Sequence, residues 1–430
     1  MIFLIYLVKI MSGFLRVFKF GGGTSLPGII IESKFPATLR SISKGYKEVI
    51  LITGTNGKTT TQKLLRKLLE NKGLKVVSNK SGANLFRGIA TTLALDKDFL
   101  GRNKNDIAIL EVEEASMPIV TKYLNASYIV VTNLFRDQLD AYGEIVQTRQ
   151  YIVDAFRKSK KSKMVLNGDD YNVLSMISEV KNKFIQFRIL DDKMKDIFTE
   201  RKYFKFRRRK SIRSVYAKNI RINDDLSNEF DIFGLDNRIR NIKFRIPGVQ
   251  NIYSLLASLS VAGNMRKFSE SEIKDVLYEC KPAFGRGESI NIRGKSIRLF
   301  LIKNPASFTA NLNMLKKISK LDLLIIINDK IADGRDVSWL WDADIEKLKD
   351  ANISSLTISG IRNLDMALRV KYADLSYIKV ESERNLQRAF DIALSKVRNG
   401  ETLYVLPTYT AMLEIRSIIG NIVDIKDFWE

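Results

Sequence analysis

The chain has 430 residues, 45% of them hydrophobic, more than one core usually holds, so two or three domains are expected. It contains no histidine and a single cysteine, Cys280, which excludes an intrachain disulfide, a cysteine-based zinc cage and any Ser-His or Cys-His hydrolase built from this chain alone. Phosphoryl transfer survives that loss because lysine, backbone N–H groups and magnesium carry it.

The formal net charge of +23 fits nucleic acid, an anionic membrane face or a polyanionic substrate, and equally a lysine-rich proteome with no special partner. One cysteine suits a reducing compartment, so a cytoplasmic location is expected.

The chain opens with MIFLIYLVKIMSGFLRVFKF, apolar but interrupted by Lys9, Arg16 and Lys19. No uncharged stretch reaches the ~18 residues of a spanning helix, and a signal peptide would carry its charge ahead of the apolar run. Residues 1–44 are expected to form an amphipathic arm that docks on a domain or lies on a bilayer.

Apolar β-rich runs then alternate with helical stretches: Glu48–Thr53, Ile107–Val112, Tyr128–Leu134, Met164–Asn167, Leu323–Asn328, Ser355–Ser359 and Leu403–Leu406. That alternation predicts parallel sheets covered by helices. Leucines at 64, 65, 68 and 69 place one apolar stripe along a helix over Thr59–Leu74.

Between the first strand and that helix stands Gly54-Thr-Asn-Gly-Lys-Thr-Thr60, two residues shorter than the common phosphate loop. Gly54 and Gly57 let the backbone turn its N–H groups toward phosphate oxygens. Lys58 supplies a compact charge, and Thr59 offers a hydroxyl to magnesium.

Glu111, Glu113 and Glu114 close the next apolar strand, where carboxylates suit a hard cation; a solvated strand end is the alternative. The segment from Thr132 to Glu144 also follows a strand, with Asp137 and Asp140 among its polar groups.

From about Phe187 to Arg245 the pattern dissolves into charged, weakly periodic sequence, read as short strands and loops inserted in the first domain. The run RKYFKFRRRKSIR over 201–213 lacks the repeated pattern of a nucleic-acid channel, so a solvated loop or membrane-facing patch is expected and no nucleic acid. Lys281-Pro-Ala-Phe-Gly-Arg286 interrupts a helix before a new β-rich block starts at Ser289, and marks the boundary. The expected units are 1–44, 45–282 and 283–430.

Several segments together resemble the Mur ligase superfamily, and within it MurT-type proteins, subunits of lipid II isoglutaminyl synthase. They are the Gly54–Thr60 loop, Ser81-Gly-Ala-Asn84-Leu-Phe-Arg-Gly88, and Asn133-Leu-Phe-Arg-Asp-Gln-Leu-Asp-Ala-Tyr-Gly-Glu144. Gln138 stands where ordinary Mur ligases carry histidine, as in MurT-type proteins. The resemblance implies an α/β fold: a Mur-ligase-type central ATPase domain with a mainly parallel sheet, and a C-terminal Rossmann-like α/β domain.

The resemblance extends to Pro247-Gly-Val-Gln-Asn251-Ile-Tyr-Ser254, similar to the family's adenine segment, in which Asn251 is kept and Ser254 replaces the second asparagine. Arg286 matches the hinge arginine that reaches the nucleotide phosphates, with a helix-capping or salt-bridging role as the alternative. Asn304 in Lys303-Asn304-Pro-Ala lies where other Mur ligases carry an aspartate near the nucleotide.

The stretch Asn328-Asp-Lys-Ile-Ala-Asp333-Gly-Arg-Asp336-Val-Ser-Trp339-Leu-Trp341-Asp342 is similar to the MurT signature, where the aspartate at Asp336 is implicated in completing a partner glutaminase's triad. A carboxylate that orients imidazole needs an imidazole, and this chain has none, so in that role Asp336 would serve another chain's histidine. The alternative is a turn-capping or ATP-site carboxylate.

What the resemblance implies is ATP-dependent amidation of the α-carboxylate of D-glutamate in the lipid II stem peptide through an acyl phosphate. Ammonia would come from a GatD-like class I glutaminase, in the cytoplasm or at the inner face of the membrane. The implied catalytic residues are Lys58, Glu111 and Asp336. ATP would be held by Gly54, Thr55, Asn56, Gly57, Lys58, Thr59, Thr60, Asn84, Asn251, Arg286 and Asn304, and magnesium by Thr59 and Glu111.

The four-cysteine zinc ribbon common in MurT-type proteins has no cysteine at the corresponding 192–219, so no zinc is expected. Two alternatives stand beside this reading: a stand-alone Mur- or folylpolyglutamate-type ligase that joins an amino acid, and a nucleotide-dependent binding protein without turnover.

Overall fold

In a computed structural model, which describes residues 2–17, 25–80, 82–135, 145–191, 204, 209–280, 285–375 and 377–423, every residue of Glu48–Thr53 but the first is buried. Such a strand must be covered on both faces, and alternate side chains show how. Ile50 and Ile52 join Leu64, Leu65, Leu68 and Leu69 in one core, while Val49 and Leu51 join Phe86, Ile89, Leu93, Met117 and Val120 in another.

This strand, β1, is an interior strand, third in a nine-stranded sheet of order β2-β3-β1-β4-β5-β6-β7-β8-β9. The others are β2 (Val76–Ser78), β3 (Ile107–Glu111), β4 (Tyr128–Val131), β5 (Lys163–Asn167), β6 (Phe184–Ile189), β7 (Arg213–Ile222), β8 (Asn228–Phe233) and β9 (Ile239–Phe244). Pairing is parallel through β7, and β7-β8-β9 form an antiparallel meander. The weakly periodic stretch read as inserted strands and loops thus extends the main sheet.

Helices α1 (Ile2–Val17), α2 (Ser25–Lys34) and α3 (Thr38–Ile42) precede β1; α4 (Lys58–Asn71), α5 (Phe86–Leu95) and α6 (Met117–Tyr123) follow. The expected helix 59–74 is α4, which begins one residue earlier and ends three earlier. Because α4 covers one face and α6 the other, the chain reverses its winding between β1 and β3, opening a crevice at their carboxyl ends. The N-terminal arm docks: Leu4 and Val8 of α1 bury against the core that holds Ile31 and the α5 side chains.

The second sheet has order β10-β11-β15-β12-β13-β14, with β10 (Arg286–Ile292) and β11 (Lys295–Phe300) antiparallel and the rest parallel. The others are β12 (Leu321–Ile326), β13 (Ile353–Ser359), β14 (Val380–Ser382) and β15 (Thr402–Pro407). Along β12, Leu323 and Ile325 face Phe308 and Met366, whereas Leu324 and Ile326 face Phe390 and Met412. The predicted boundary at 281–284, the signature stretch 136–144 with Asp137, Gln138 and Asp140, Ser81, and most of 192–208 lie outside the described residues.

Candidate active site

At the end of β1 the backbone turns through Gly54 at φ 116° and Gly57 at φ 89°. A Cβ on Gly54 would stand 2.4 Å from Thr132 Oγ1 and 2.8 Å from the Asn133 carbonyl, so only glycine fits the turn. Asn133, at the end of β4, clamps the loop from beside it. It accepts from the Asn56 N–H through Oδ1 at 2.8 Å, donates through Nδ2 to the Asn56 carbonyl at 2.9 Å, and offers its own carbonyl to the Thr55 N–H at 3.0 Å. The Phe135 N–H donates to Thr55 Oγ1, 3.0 Å away.

Helix α4 starts at Lys58 with no side chain capping it. Its first-turn N–H groups lack intrahelical acceptors and project with the helix's partial positive charge, a ready cradle for phosphate oxygens. A phosphate group therefore fits the loop on the geometry of the chain.

Lys58 is buried, with Nζ 2.9 Å from Glu114 Oε1 and 3.5 Å from Glu113 Oε2. The same Glu114 oxygen accepts from the Gly54 N–H at 2.8 Å, and Asn84 Nδ2 donates to Glu113 Oε2 at 2.9 Å. Burial would pull the Lys58 ammonium down, but Glu114, Glu113 and Glu111 outweigh it and hold the charge firmly in place. The neighbouring carboxylates part company. Burial and the hydrogen bond with Glu114 push Glu113 well above the usual glutamate range, while Lys58 overcomes burial to hold Glu114 below it.

Those directions fix a pH dependence. Glu113, raised on folding, contributes stability that is full below its unfolded pKa and lost as pH rises through its folded one. The nucleotide-free chain should therefore lose thermal stability from the ordinary glutamate range upward, and Glu113→Gln should flatten that limb. Unfolding midpoints across a pH series check it; an unchanged limb in the variant would assign the loss to other groups.

Thr59 Oγ1 donates to Glu111 Oε2 at 2.8 Å, bringing the two expected magnesium ligands together. Among the described residues no cluster of three or more His, Cys, Asp or Glu could cage a metal. The pair suits a hard cation that arrives with nucleotide phosphates and keeps most of its water.

The second sheet completes the cleft. Arg286, first residue of β10, donates from Nη1 to Thr60 Oγ1 at 2.8 Å, and burial lowers its pKa against the pull of Glu111. Asn304 caps the helix Pro305–Leu315 by accepting from the Ser307 N–H at 2.8 Å, and its amide meets that of Asn56 at 3.4 Å. Asn56, Gly57, Asn251, Arg286, Phe300 and Lys303 line a cleft of roughly 870 Å³ that includes its open mouth. Asn251 donates from Nδ2 to the Pro247 carbonyl at 2.6 Å, and Ser254 Oγ packs where a Cβ on Gly57 would meet it at 3.0 Å.

The expected nucleotide residues therefore surround one crevice, and Asp336, expected to serve another chain's histidine, stands apart from them. That residue lies in the 328–342 segment after β12, a strand that β15 separates from β11. It is half-buried and accepts from the Ser338 N–H at 2.8 Å and Ser338 Oγ at 2.9 Å, a turn-capping arrangement. The segment is anchored by buried Asp333, which accepts from the Thr410 N–H at 2.7 Å, and by Asp329, which accepts from Arg362 at 2.7 Å.

Sequence reasoning assigned no separate roles to Glu113, Glu114, Asn133 and Lys303. The acidic pair directly after a buried strand was the legible signal for the first two. The Asn133 clamp and the place of Lys303 depend on strand order, which local pattern does not reveal.

A family model described as Mur ligase middle domain matches residues 52–262, and one described as MurT ligase C-terminal matches 301–412. A Streptococcus pneumoniae protein named lipid II isoglutaminyl synthase (glutamine-hydrolyzing) subunit MurT is 32% identical over 435 residues, covering 94% of each chain. Its Staphylococcus aureus namesake is 28% identical over 409 residues, covering 91% of each. Among solved structures, MurF from Acinetobacter baumannii aligns with a TM-score of 0.68 at 15% identity, over 92% of this chain and 80% of that one. Mycobacterium tuberculosis folylpolyglutamate synthase, complexed with ADP and AMPPCP, aligns with a TM-score of 0.65 at 15% identity, over 92% and 95%. At such identities these two share the fold.

Proposed function

The chain belongs to the MurT family of Mur ligases, and we propose that it is the ATP-dependent subunit of a lipid II isoglutaminyl synthase. It amidates the α-carboxylate of D-glutamate in the stem peptide of lipid II, a step of peptidoglycan synthesis. The observation that carries the reading is the meeting of the Gly54–Thr60 loop with Arg286 of the second sheet across one cleft, where Nη1 lies 2.8 Å from Thr60 Oγ1.

The loop and the α4 N-terminus bind the phosphates of ATP, with Asn251 beside the base and Asn84 steadying Glu113. Lys58 and Arg286 face the charge that spreads over the γ-phosphoryl group as it passes to the substrate carboxylate. Thr59 and Glu111 would hold magnesium, which supplies charge neutralisation at the phosphates. The acyl phosphate is then opened by ammonia, which forms the C–N bond, expels phosphate and loses a proton. Closure of the second sheet's Arg286 and Asn304 over the loop aligns the carboxylate and keeps water out.

Ammonia comes from a GatD-like class I glutaminase, whose catalytic histidine Asp336 would orient. An exposed apolar stripe on the helix Asn363–Tyr372, formed by Leu364, Leu368 and Tyr372, flanks that segment, with the Trp341 ring 5.6 Å from Tyr372. Such a contiguous patch suits a partner subunit. The lipid-linked substrate brings the complex to the inner face of the membrane.

Mass spectrometry of lipid II incubated with ATP, glutamine and this chain, with and without the glutaminase, tests the proposal. Conversion of acid to amide, a loss of about one mass unit, is expected only with both proteins present. Ligation of an amino acid by the isolated chain would overturn it in favour of a stand-alone ligase.

A further inference from the structure

Helix α1 is apolar on two opposite faces. Leu4, Ile5 and Val8 are buried against the domain, while Phe3 and Ile10, on the other side, are 80% and 69% exposed. A helix that packs one face on a protein normally turns polar residues outward, and an all-round apolar helix belongs inside something. The outer face continues onto the turn after α5, where Phe99 and Leu100 are 70% and 67% exposed. Tyr6 joins the two, its ring 5.9 Å from that of Phe99 and its hydroxyl donating to the Phe99 carbonyl at 3.1 Å.

We infer that the outer face of α1 and the Phe99–Leu100 turn form a wedge that docks the enzyme on an anionic lipid bilayer. The inference rests on the proposed lipid-linked substrate for its purpose.

Charge favours lipid over a neutral protein partner. Lys9, whose Nζ lies 4.9 Å from the Phe99 ring centroid, stands at the margin of the apolar face, with exposed Lys44 and Lys104 around the same turn. The nearby acids are already engaged: Asp98 accepts from Arg102 at 2.9 Å, and buried Asp96 accepts from Tyr46 at 2.6 Å. Basic groups rimming large apolar side chains match the headgroup and acyl layers of an anionic interface. No helix among the described residues is long and apolar enough to cross a membrane, so the contact is peripheral.

Geometry links the wedge to the chemistry. Helix α5 runs from beside Asn84, bonded to Glu113, to the turn that carries Phe99, and its 10 residues span roughly 15 Å. A short peptide rising from a lipid headgroup covers that distance in about five extended residues.

The test is sedimentation of the full-length chain, with its glutaminase, on vesicles of phosphatidylcholine alone and with phosphatidylglycerol. Binding is expected to the anionic vesicles, to weaken with salt, and to fall at least about tenfold in Phe3→Glu/Ile10→Glu/Leu100→Glu. Phe3→Ser/Leu100→Ser provides a milder variant should the first fold poorly. No binding of the wild type to either vesicle, equal binding by the folded variants, or a concentration-dependent dimer that the variants disperse would overturn the inference. Amidation separates it from the functional reading: variants should keep full rates on a water-soluble precursor and lose them on lipid II in vesicles. Vesicle binding as expected with no amidation of either substrate would sink the function and leave the surface standing.

Discussion

Lys58→Met is expected to lower kcat/KM for amidation by about 10³ or more, equally with glutamine and with free ammonia as nitrogen source. The buried ammonium, pressed by three glutamates, is the fixed positive charge nearest the helix N-terminus that would receive the γ-phosphoryl group. Methionine fills the same channel without charge. The substitution also strands Glu114, whose oxygen lies 2.9 Å from Nζ, and breaking one partner from a buried pair costs about 3–5 kcal/mol.

The two effects separate in a double variant. Lys58→Met/Glu114→Gln keeps a hydrogen-bonding side chain beside the Gly54 N–H and removes the stranded charge, so the unfolding midpoint should recover toward wild type while amidation stays absent. Steady-state rates and thermal unfolding on both variants decide it. Return of activity with stability would show that Lys58 serves only to neutralise Glu114.

The same crevice shows how far local sequence can reach. Gly54–Thr60 and the α4 stripe were legible because a phosphate loop is contiguous and its helix has one apolar face of four leucines. Glu111 was legible because it ends a buried strand. The Lys58–Glu114 pair and the Asn133 clamp were not, since they exist only once β3 and β4 flank β1. Nor could β7–β9 be recognised as part of the main sheet: its outer strands alternate buried and exposed residues too irregularly to give a clean period. The arm's docking was foreseen as one of two choices, and α1 is apolar on both sides, which is why pattern alone left the choice open.

Asp336 poses the sharpest separation between a structural and a chemical role. In the free chain both its oxygens accept from Ser338, and a carboxylate has further lone pairs to offer a partner's imidazole N–H. Asparagine caps such turns well, keeping one acceptor for the Ser338 N–H, but it carries no charge and cannot stabilise an imidazolium. Asp336→Asn is therefore expected to preserve the fold and leave ammonia-dependent amidation within about twofold, while glutamine-dependent amidation falls about 10²- to 10⁴-fold. Ser338→Ala removes one of the turn's donors and keeps the charge, so it should spare glutamine use. Measuring both nitrogen sources for both variants, with binding of the glutaminase followed alongside, decides the role. An equal loss with glutamine and ammonia in Asp336→Asn would return the residue to the turn it caps, and the partner's histidine would have to find its carboxylate elsewhere.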